Sequence, residues 1–86
     1  MGSFRVELTK SANKDLRGID KQWIPKVFAA LESLEAEPRP SGCKKLVGSH
    51  HTYRIRVGDY RVIYDIQDDV LVVLVIKIRH RKDVYR

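Results

Sequence analysis

The 86-residue chain has few of the features that mark secreted or membrane proteins. Cys43 is its one cysteine, so no disulfide can form within the chain, and a reducing, intracellular setting is expected. The longest apolar run covers residues 70–76, far fewer than the roughly 20 residues that a membrane helix needs. The N-terminus shows no signal-peptide pattern. We therefore expect a cytoplasmic protein with no membrane contact.

Acidic residues are also scarce. The chain has 17 Lys and Arg but 11 Asp and Glu, which leaves a net charge of +6 and a pI near 9.7. The excess lies in the C-terminal half, where residues 43–86 contain ten basic and five acidic side chains. A positive excess of this size indicates an acidic partner, such as nucleic acid or an acidic protein.

The N-terminal part of the chain predicts a strand followed by a helix. Residues 3–8 alternate between apolar and polar side chains, which is typical of a half-buried strand. A short helix is predicted over Lys10–Arg17, with Thr9 or Ser11 as its N-cap and Gly18 at its end.

A second helix is predicted to begin between Asp20 and Pro25, because proline is tolerated only in the first turn, and to continue to Glu37. Together the two helices should form an antiparallel hairpin that packs on a sheet, and a short extended piece is possible at residues 44–46. Ile24 and Phe28 should widen the apolar stripe of the second helix to the width of a core-facing surface. The rest of that stripe is Trp23, Val27, Ala30, Leu31 and Leu34.

Residues 52–64 predict a β-hairpin. Two alternating runs flank Gly58 and Asp59, and a glycine at the first central position of a two-residue loop suits a type II′ turn. Counting outward from the turn places Arg56 opposite Arg61. One face of the hairpin should be largely apolar, and it contains Tyr53, Ile55, Val57, Tyr60, Val62, Tyr64 and Ile66.

The other face of the hairpin carries Arg54, Arg56 and Arg61. Like charges placed opposite each other destabilise a sheet, so stability alone does not account for this cluster. Guanidinium groups bind phosphate through paired hydrogen bonds and stay charged at physiological pH, which favours an anion-binding site. The alternative is that long arginine side chains spread into solvent and simply cover the sheet.

After the hairpin, a turn at residues 67–69 leads to an apolar, β-branched stretch over residues 70–78, interrupted only by Lys77. Such a run is typical of a central strand buried on both faces. The chain then becomes basic and aromatic over residues 79–86. The element order predicts a single α+β domain over residues 1–86: an N-terminal strand, a helical hairpin and a three-stranded antiparallel meander, forming one sheet with the helices on one face.

Three segments together resemble the RelE branch of the RelE/ParE toxin superfamily. They are Lys45-Leu46-x-Gly48, the hairpin at 53–64, and the ending His80-Arg81-Lys82-Asp83-Val84-Tyr85. The likeness extends over nearly the whole chain. It implies a RelE-like fold and the toxin of a type II toxin-antitoxin system, an endoribonuclease that cleaves mRNA in the ribosomal A site without a metal or other cofactor. It also implies a cognate antitoxin, with the toxin monomeric on its own and hetero-oligomeric with that antitoxin.

The resemblance also implies roles for particular residues. Arg61 matches the arginine that stabilises the reacting phosphate, Arg81 an arginine with a general-acid or charge role, and Tyr85 a tyrosine that orients the substrate. Arg54 and Arg56 stand where the RelE branch has lysines, and Arg56 is expected to be catalytic. The expected RNA-binding residues are Lys44, Lys45, Arg54, Arg79 and Lys82.

The arginines leave proton transfer without an obvious base. RNA cleavage by the 2′-OH needs a group that accepts a proton, and a guanidinium such as Arg56 is a poor acceptor near neutral pH. His80 is the candidate for this role, with Tyr85 behind it. Alternatively, the ribosome or the RNA supplies the alignment, and the identity of the base matters little.

Two other functions are compatible with the sequence. A ParE-like toxin would bind and inhibit a topoisomerase without cleaving RNA, and the missing lysines keep this possibility open. A degenerate relative would bind only RNA or its antitoxin. Arg79, Arg81 and Lys82 would then be an ordinary basic tail.

Overall fold

The computed structural model describes residues 3–84 and shows a five-stranded sheet with two helices packed on it. A 3₁₀ turn at Lys21–Trp23 precedes the second helix, and a short third helix follows the last strand. No helix in the described range is long and apolar enough to span a membrane. The elements in chain order are β1 (Arg5–Leu8), α1 (Lys10–Arg17), α2 (Ile24–Ala36), β2 (Lys44–Lys45), β3 (Thr52–Val57), β4 (Tyr60–Gln67), β5 (Val72–His80) and α3 (Arg81–Val84).

The sheet has the strand order β1-β5-β4-β3-β2. Strands β3, β4 and β5 form the predicted antiparallel meander, and β1 lies parallel to β5. Strand β2 adds a fifth strand beside β3, where the sequence suggested at most a short extended piece. Strands β1 and β2 form the two edges, and β4 lies in the middle of the sheet. The apolar sequence of β5 predicted that β5 would be the central strand, but it lies between β1 and β4. The α+β class and the element order are confirmed.

Helix α1 begins and ends where the sequence predicts. The Thr9 hydroxyl accepts a hydrogen bond from the Ala12 N–H at 3.1 Å and donates one to the Ile76 carbonyl at 3.0 Å. One side chain therefore caps the helix and ties it to β5. Gly18 ends the helix with a φ of −90°, so it does not use the left-handed conformation that glycine often has there.

Helix α2 accommodates its proline and buries a narrower stripe than expected. Pro25 lies in the first turn, where no helical hydrogen bond is lost. Val27, Leu31 and Leu34 are buried in the core. Phe28 is 46% exposed, so the expectation that it belongs to the core-facing stripe is wrong. The reason is that Phe28 lies on the side of β1, the edge strand, beyond which the described residues form no further strand.

The core lies between the helices and one face of the sheet. Strand β4 alternates between buried and half-buried residues, which confirms the apolar face predicted for the hairpin. Tyr64 is fully buried, and its hydroxyl donates to the Pro38 carbonyl at 2.8 Å. This hydrogen bond pairs two polar groups that water does not reach, and it anchors the chain after α2 to the centre of the sheet.

Strand β5 contains a bulge that decides which of its side chains face the core. Ile63 pairs with Lys77, but the next residue, Tyr64, pairs with Val75, so Ile76 is an extra residue on β5. Because side chains alternate with a period of two, one extra residue exchanges the two faces beyond it. Lys77 is exposed as a result. The prediction that this strand is buried on both faces is wrong, because helices cover only one face of the sheet.

Candidate nucleic-acid interface

The sheet face turned away from the helices carries three cross-strand rows of side chains. Residues paired across neighbouring strands point to the same face. The arginine row consists of Arg56, Arg61 and Arg79. The mixed row beside it consists of Lys44, Arg54, Ile63 and Lys77. The acidic row consists of Thr52, Asp65, Leu74 and Glu7. Positive charge is therefore concentrated at the end of this face nearest the hairpin turn.

A hollow of about 250 Å³ opens on this face between β2 and β4. Its volume is slightly below the roughly 300–1,000 Å³ of typical small-molecule sites, so it suits a phosphate with part of its nucleotide. Four cationic side chains converge on it: Lys44, Arg54, Arg56 and Arg61. Within residues 3–84, Lys44 and Arg54 have neither a hydrogen bond nor an ion pair from their side chains. Their charges are therefore available to an anion.

The hairpin turn holds Arg56 in place. Gly58 has a φ of +59° and Asp59 does not have a positive φ, which confirms the type II′ turn. A side-chain carbon at Gly58 would overlap the Trp23 indole, so the turn lies directly on that ring. The Arg56 Nε donates to the Gly58 carbonyl at 3.1 Å, which keeps its guanidinium beside the turn.

Arg81 lies at the tip of the hairpin. Its backbone N–H donates to the Asp59 carbonyl at 2.7 Å, and its Nε is 3.8 Å from the Asp59 carboxylate. This places Arg81 beyond the end of the arginine row, outside the residues that line the hollow. Lys82 is exposed in the following turn. Tyr85 lies outside the described residues, so its role stays a prediction.

The structure does not bring Arg79 and His80 into the hollow. The bulge in β5 sends His80 to the helix-covered face, where its ring meets the Tyr60 ring edge-on at 5.1 Å between centroids. Arg79 shares a row with Arg61, but its guanidinium lies 3.6 Å from the Asp15 carboxylate on α1. Both residues line a separate hollow of about 430 Å³ beside the end of α1. His80 is therefore not placed to exchange a proton with a phosphate in the basic hollow.

An ion pair that the sequence did not predict ties the loop before β2 to the turn after β4. Arg39 donates to the two carboxylate oxygens of Asp68 at 3.2 and 2.8 Å, and to the Tyr53 hydroxyl at 3.2 Å. The guanidinium lowers the pKa of the Asp68 carboxyl through these hydrogen bonds. This ion pair holds the loop that leads into β2, where Lys44 lines the hollow.

Lys45 does not line the hollow. It pairs with Tyr53 and points to the opposite side of the sheet.

This arrangement is chemically suited to binding an anion and to stabilising negative charge. The hollow contains cations that stay protonated at neutral pH, and no residue in its lining is a carboxylate or a histidine. Within residues 3–84, no three His, Cys, Asp or Glu side chains are grouped as a metal site requires.

Comparison with known proteins decides the family. The family model for the ParE toxin of the type II toxin-antitoxin system parDE matches residues 6–85. Putative toxin RelE1 of Methanocaldococcus jannaschii is 33% identical over 86 residues, covering 96% of each chain. The chain belongs to the RelE/ParE family of type II toxins. Toxin RelG of Mycobacterium tuberculosis is another relative of this RelE-type toxin, 31% identical over 87 residues and covering 96% of this chain and 97% of RelG.

Solved RelE structures share the fold of this RelE-type toxin. The RelE-RelB complex from Pyrococcus horikoshii aligns with a TM-score of 0.82 at 32% identity, covering 92% of this chain and 96% of that chain. The isolated RelE toxin of E. coli aligns with a TM-score of 0.81 at 25% identity, covering 96% and 92%. The predicted RelE-like fold is confirmed along most of the chain.

Proposed function

We propose that this RelE-type toxin is an endoribonuclease that cleaves mRNA on the ribosome, with the 2′-OH of the RNA attacking the adjacent phosphorus. The observation that supports this proposal is the basic hollow, where side chains from three strands surround a space large enough for a phosphate. A sheet that places Arg56 directly opposite Arg61 sacrifices some stability, and a bound phosphodiester would offset that repulsion.

The proposed step forms a bond from the 2′-oxygen to phosphorus and breaks the bond from phosphorus to the 5′-oxygen. The 2′-OH releases its proton to water or to a group of the ribosome, and the departing 5′-oxygen receives one from Arg81 or from water. Arg56 and Arg61 offset the negative charge that develops on the phosphorane oxygens, and one such donor is typically worth about 10²–10³ in rate. Arg81, next to the hairpin tip, is assigned the charge or the proton at the 5′-oxygen. Tyr85 orients the RNA, as the resemblance implies.

We propose ribosome dependence because no residue that lines the hollow is a good proton acceptor. Its cations are poor bases, and His80 lies on the opposite face of the sheet. Alignment of the 2′-OH with the breaking bond must then supply much of the rate, and a flexible RNA does not hold that alignment alone. We therefore assign the alignment to the ribosomal A site, and no cofactor enters the step.

We also propose a cognate antitoxin as the partner. The P. horikoshii neighbour is a RelE-RelB complex, and the same arrangement here would make the toxin a hetero-oligomer that is monomeric only when released. An acidic or amphipathic antitoxin segment would neutralise the basic hollow and cover the helices. Affinity for the antitoxin should fall as salt rises, and an affinity independent of salt would contradict this contact.

The central experiment tests RNA cleavage with Arg61→Ala and Arg81→Ala variants. Expression in bacteria reports growth arrest, and a translation extract reports mRNA cleavage. Both variants should lose cleavage and toxicity, with a loss of about 10²-fold or more for Arg61→Ala. Arg17→Ala, which removes one charge from the exposed end of α1, is the matched control and should keep full activity. Full cleavage by Arg61→Ala would refute the proposal.

The ParE-like function is the second candidate, and the name of the matching family model favours it. A topoisomerase inhibitor would arrest growth without mRNA cleavage, and its toxicity would not depend on the charge of the hollow. Supercoiling assays with the purified toxin separate the two functions, because only the ParE-like function predicts inhibition there. A protein with neither activity would be the degenerate RNA-binding or antitoxin-binding relative.

A further inference from the structure

The mixed row reaches beyond the hollow across the open face. Lys44 and Arg54 line the hollow, and the same row continues through Ile63 on β4 to Lys77 on β5. Neighbouring strands are about 4.8 Å apart, so the backbones of Arg54 and Lys77 are separated by roughly 10 Å. Consecutive phosphates of a single strand lie closer together than this, and the long side chains of Arg54 and Lys77 can lean toward each other to close the difference.

Lys77 has the properties of a phosphate contact. It is exposed, and its ammonium has no hydrogen bond or ion pair with another residue in the range 3–84. Its position on this face depends on the bulge at Ile76, without which Lys77 would point toward the helices. Bulges often re-aim side chains next to functional sites. The bulge therefore places a fourth strand's charge in line with the hollow.

Ile63 gives the row an apolar centre between two cations. Its side chain is half-buried and lies in register with Arg54 on one side and Lys77 on the other. An aliphatic group at this point cannot bind phosphate, but it offers a surface for the ribose that connects two phosphates or for the base attached to it. Alternating charged and apolar contacts suit single-stranded nucleic acid better than an isolated phosphate.

The acidic row limits the path that a bound RNA strand can take across this face. Asp65 is held on this face by the Thr52 hydroxyl, which donates to its carboxylate at 2.7 Å, and Glu7 lies farther along the row. The Asp65 carboxylate repels phosphates that approach this part of the face, whereas the Glu7 carboxylate is paired with Arg5 at 2.7 Å. A bound strand therefore crosses the sheet along the mixed row, perpendicular to the β-strands.

We infer that Lys77 and Ile63 form a second RNA subsite, in which Lys77 binds a phosphate next to the one in the hollow and Ile63 contacts the nucleotide between them. This inference rests on the proposed function. It adds a contact on β5 that is separate from the reacting phosphate. Lys77 is a binding residue and takes no part in the bond-breaking step.

The test measures binding of a single-stranded RNA, 2′-O-methylated to prevent cleavage, by fluorescence anisotropy over a range of salt. Loss of one phosphate contact should reduce the slope of log affinity against log salt by about 0.7 for Lys77→Ala. A fourfold rise in salt should then weaken the unaltered protein about 2.6-fold more than the variant. A dinucleotide with a single phosphate, held in the hollow, should bind both proteins equally.

Lys10→Ala is the matched control, because it removes the same charge from the exposed start of α1. It should leave the salt slope unchanged. Ile63→Thr, which keeps the branched β-carbon, should weaken the long RNA without changing the slope. Equal slopes for Lys77→Ala and Lys10→Ala, or no binding of the long RNA by the unaltered protein, would overturn the inference. The mRNA cleavage assay with the unaltered protein and Arg61→Ala decides the proposed function separately, because the salt slopes concern only the phosphate contact of Lys77.

Discussion

Replacing Tyr64 with phenylalanine tests the hydrogen bond that anchors the chain after α2 to the centre of the sheet. The Tyr64 side chain is fully buried, and its hydroxyl donates to the buried Pro38 carbonyl at 2.8 Å. Tyr64→Phe keeps the ring and leaves that carbonyl unpaired, which should cost about 1–3 kcal/mol. For a domain of this size, a loss of about 2 kcal/mol lowers Tm by roughly 8–16 °C.

The same substitution should change how stability depends on alkaline pH. Burial raises the pKa of the Tyr64 hydroxyl above its ordinary value. Above pH 10, which is about the pKa of an exposed tyrosine, the unfolded chain ionises at this position while the folded chain stays neutral. The unaltered protein therefore loses about 1.4 kcal/mol of stability at this residue between pH 9 and 11, and Tyr64→Phe does not. The stability gap between them should narrow by that amount.

Urea denaturation at pH 7, 9 and 11 measures both effects. Tyr60→Phe is the matched control, because the Tyr60 hydroxyl accepts a longer hydrogen bond of 3.2 Å from the Asp20 N–H at a less enclosed position. It should cost less than Tyr64→Phe at pH 7. A Tyr64→Phe protein as stable as the original at pH 7, or a gap that stays constant up to pH 11, would show that this hydroxyl is not held as described.

Three further predictions concern other parts of the structure. Gly58→Ala should destabilise the protein by about 2 kcal/mol or more in urea, because a side chain there takes a positive φ and overlaps the Trp23 indole. Leu34→Ala should cost about 2–5 kcal/mol, because the leucine is fully buried; a value below 1 kcal/mol would contradict its place in the core. Asp68→Asn should reduce the loss of stability on acidification below about pH 4. Arg39 lowers the pKa of the Asp68 carboxyl, so the ionised carboxylate stabilises the folded state and this stabilisation is lost as the carboxylate is protonated. Identical acid profiles for the two proteins would contradict the ion pair.

Local sequence patterns correctly predict the features of the structure that depend on residues close together in the chain. The hairpin register follows from Gly58 and the two-residue turn, so Arg56 could be placed opposite Arg61 by counting. The Thr9 cap and the bounds of α1 likewise depend on a few adjacent residues. The sequence alone therefore predicts that Arg56 and Arg61 lie side by side.

Features that depend on residues far apart in the chain cannot be predicted from local sequence patterns. The extra residue Ile76 is defined only by pairing with β4, and periodicity along β5 shows no sign of it. Its consequence is large, because it turns Lys77 toward the basic face and His80 away from it. The ion pair between Arg39 and Asp68 joins two loops that no local pattern connects.

The amino-acid sequence by itself determined the element order, the hairpin register and the positive charge of one sheet face, because each of these depends on short-range backbone preferences or on composition. Tertiary structure decided which charges share the hollow, since strand pairing sets the side to which each residue points. It also separated His80 from the phosphate site, because one bulge in β5 reverses the two faces of that strand beyond Ile76.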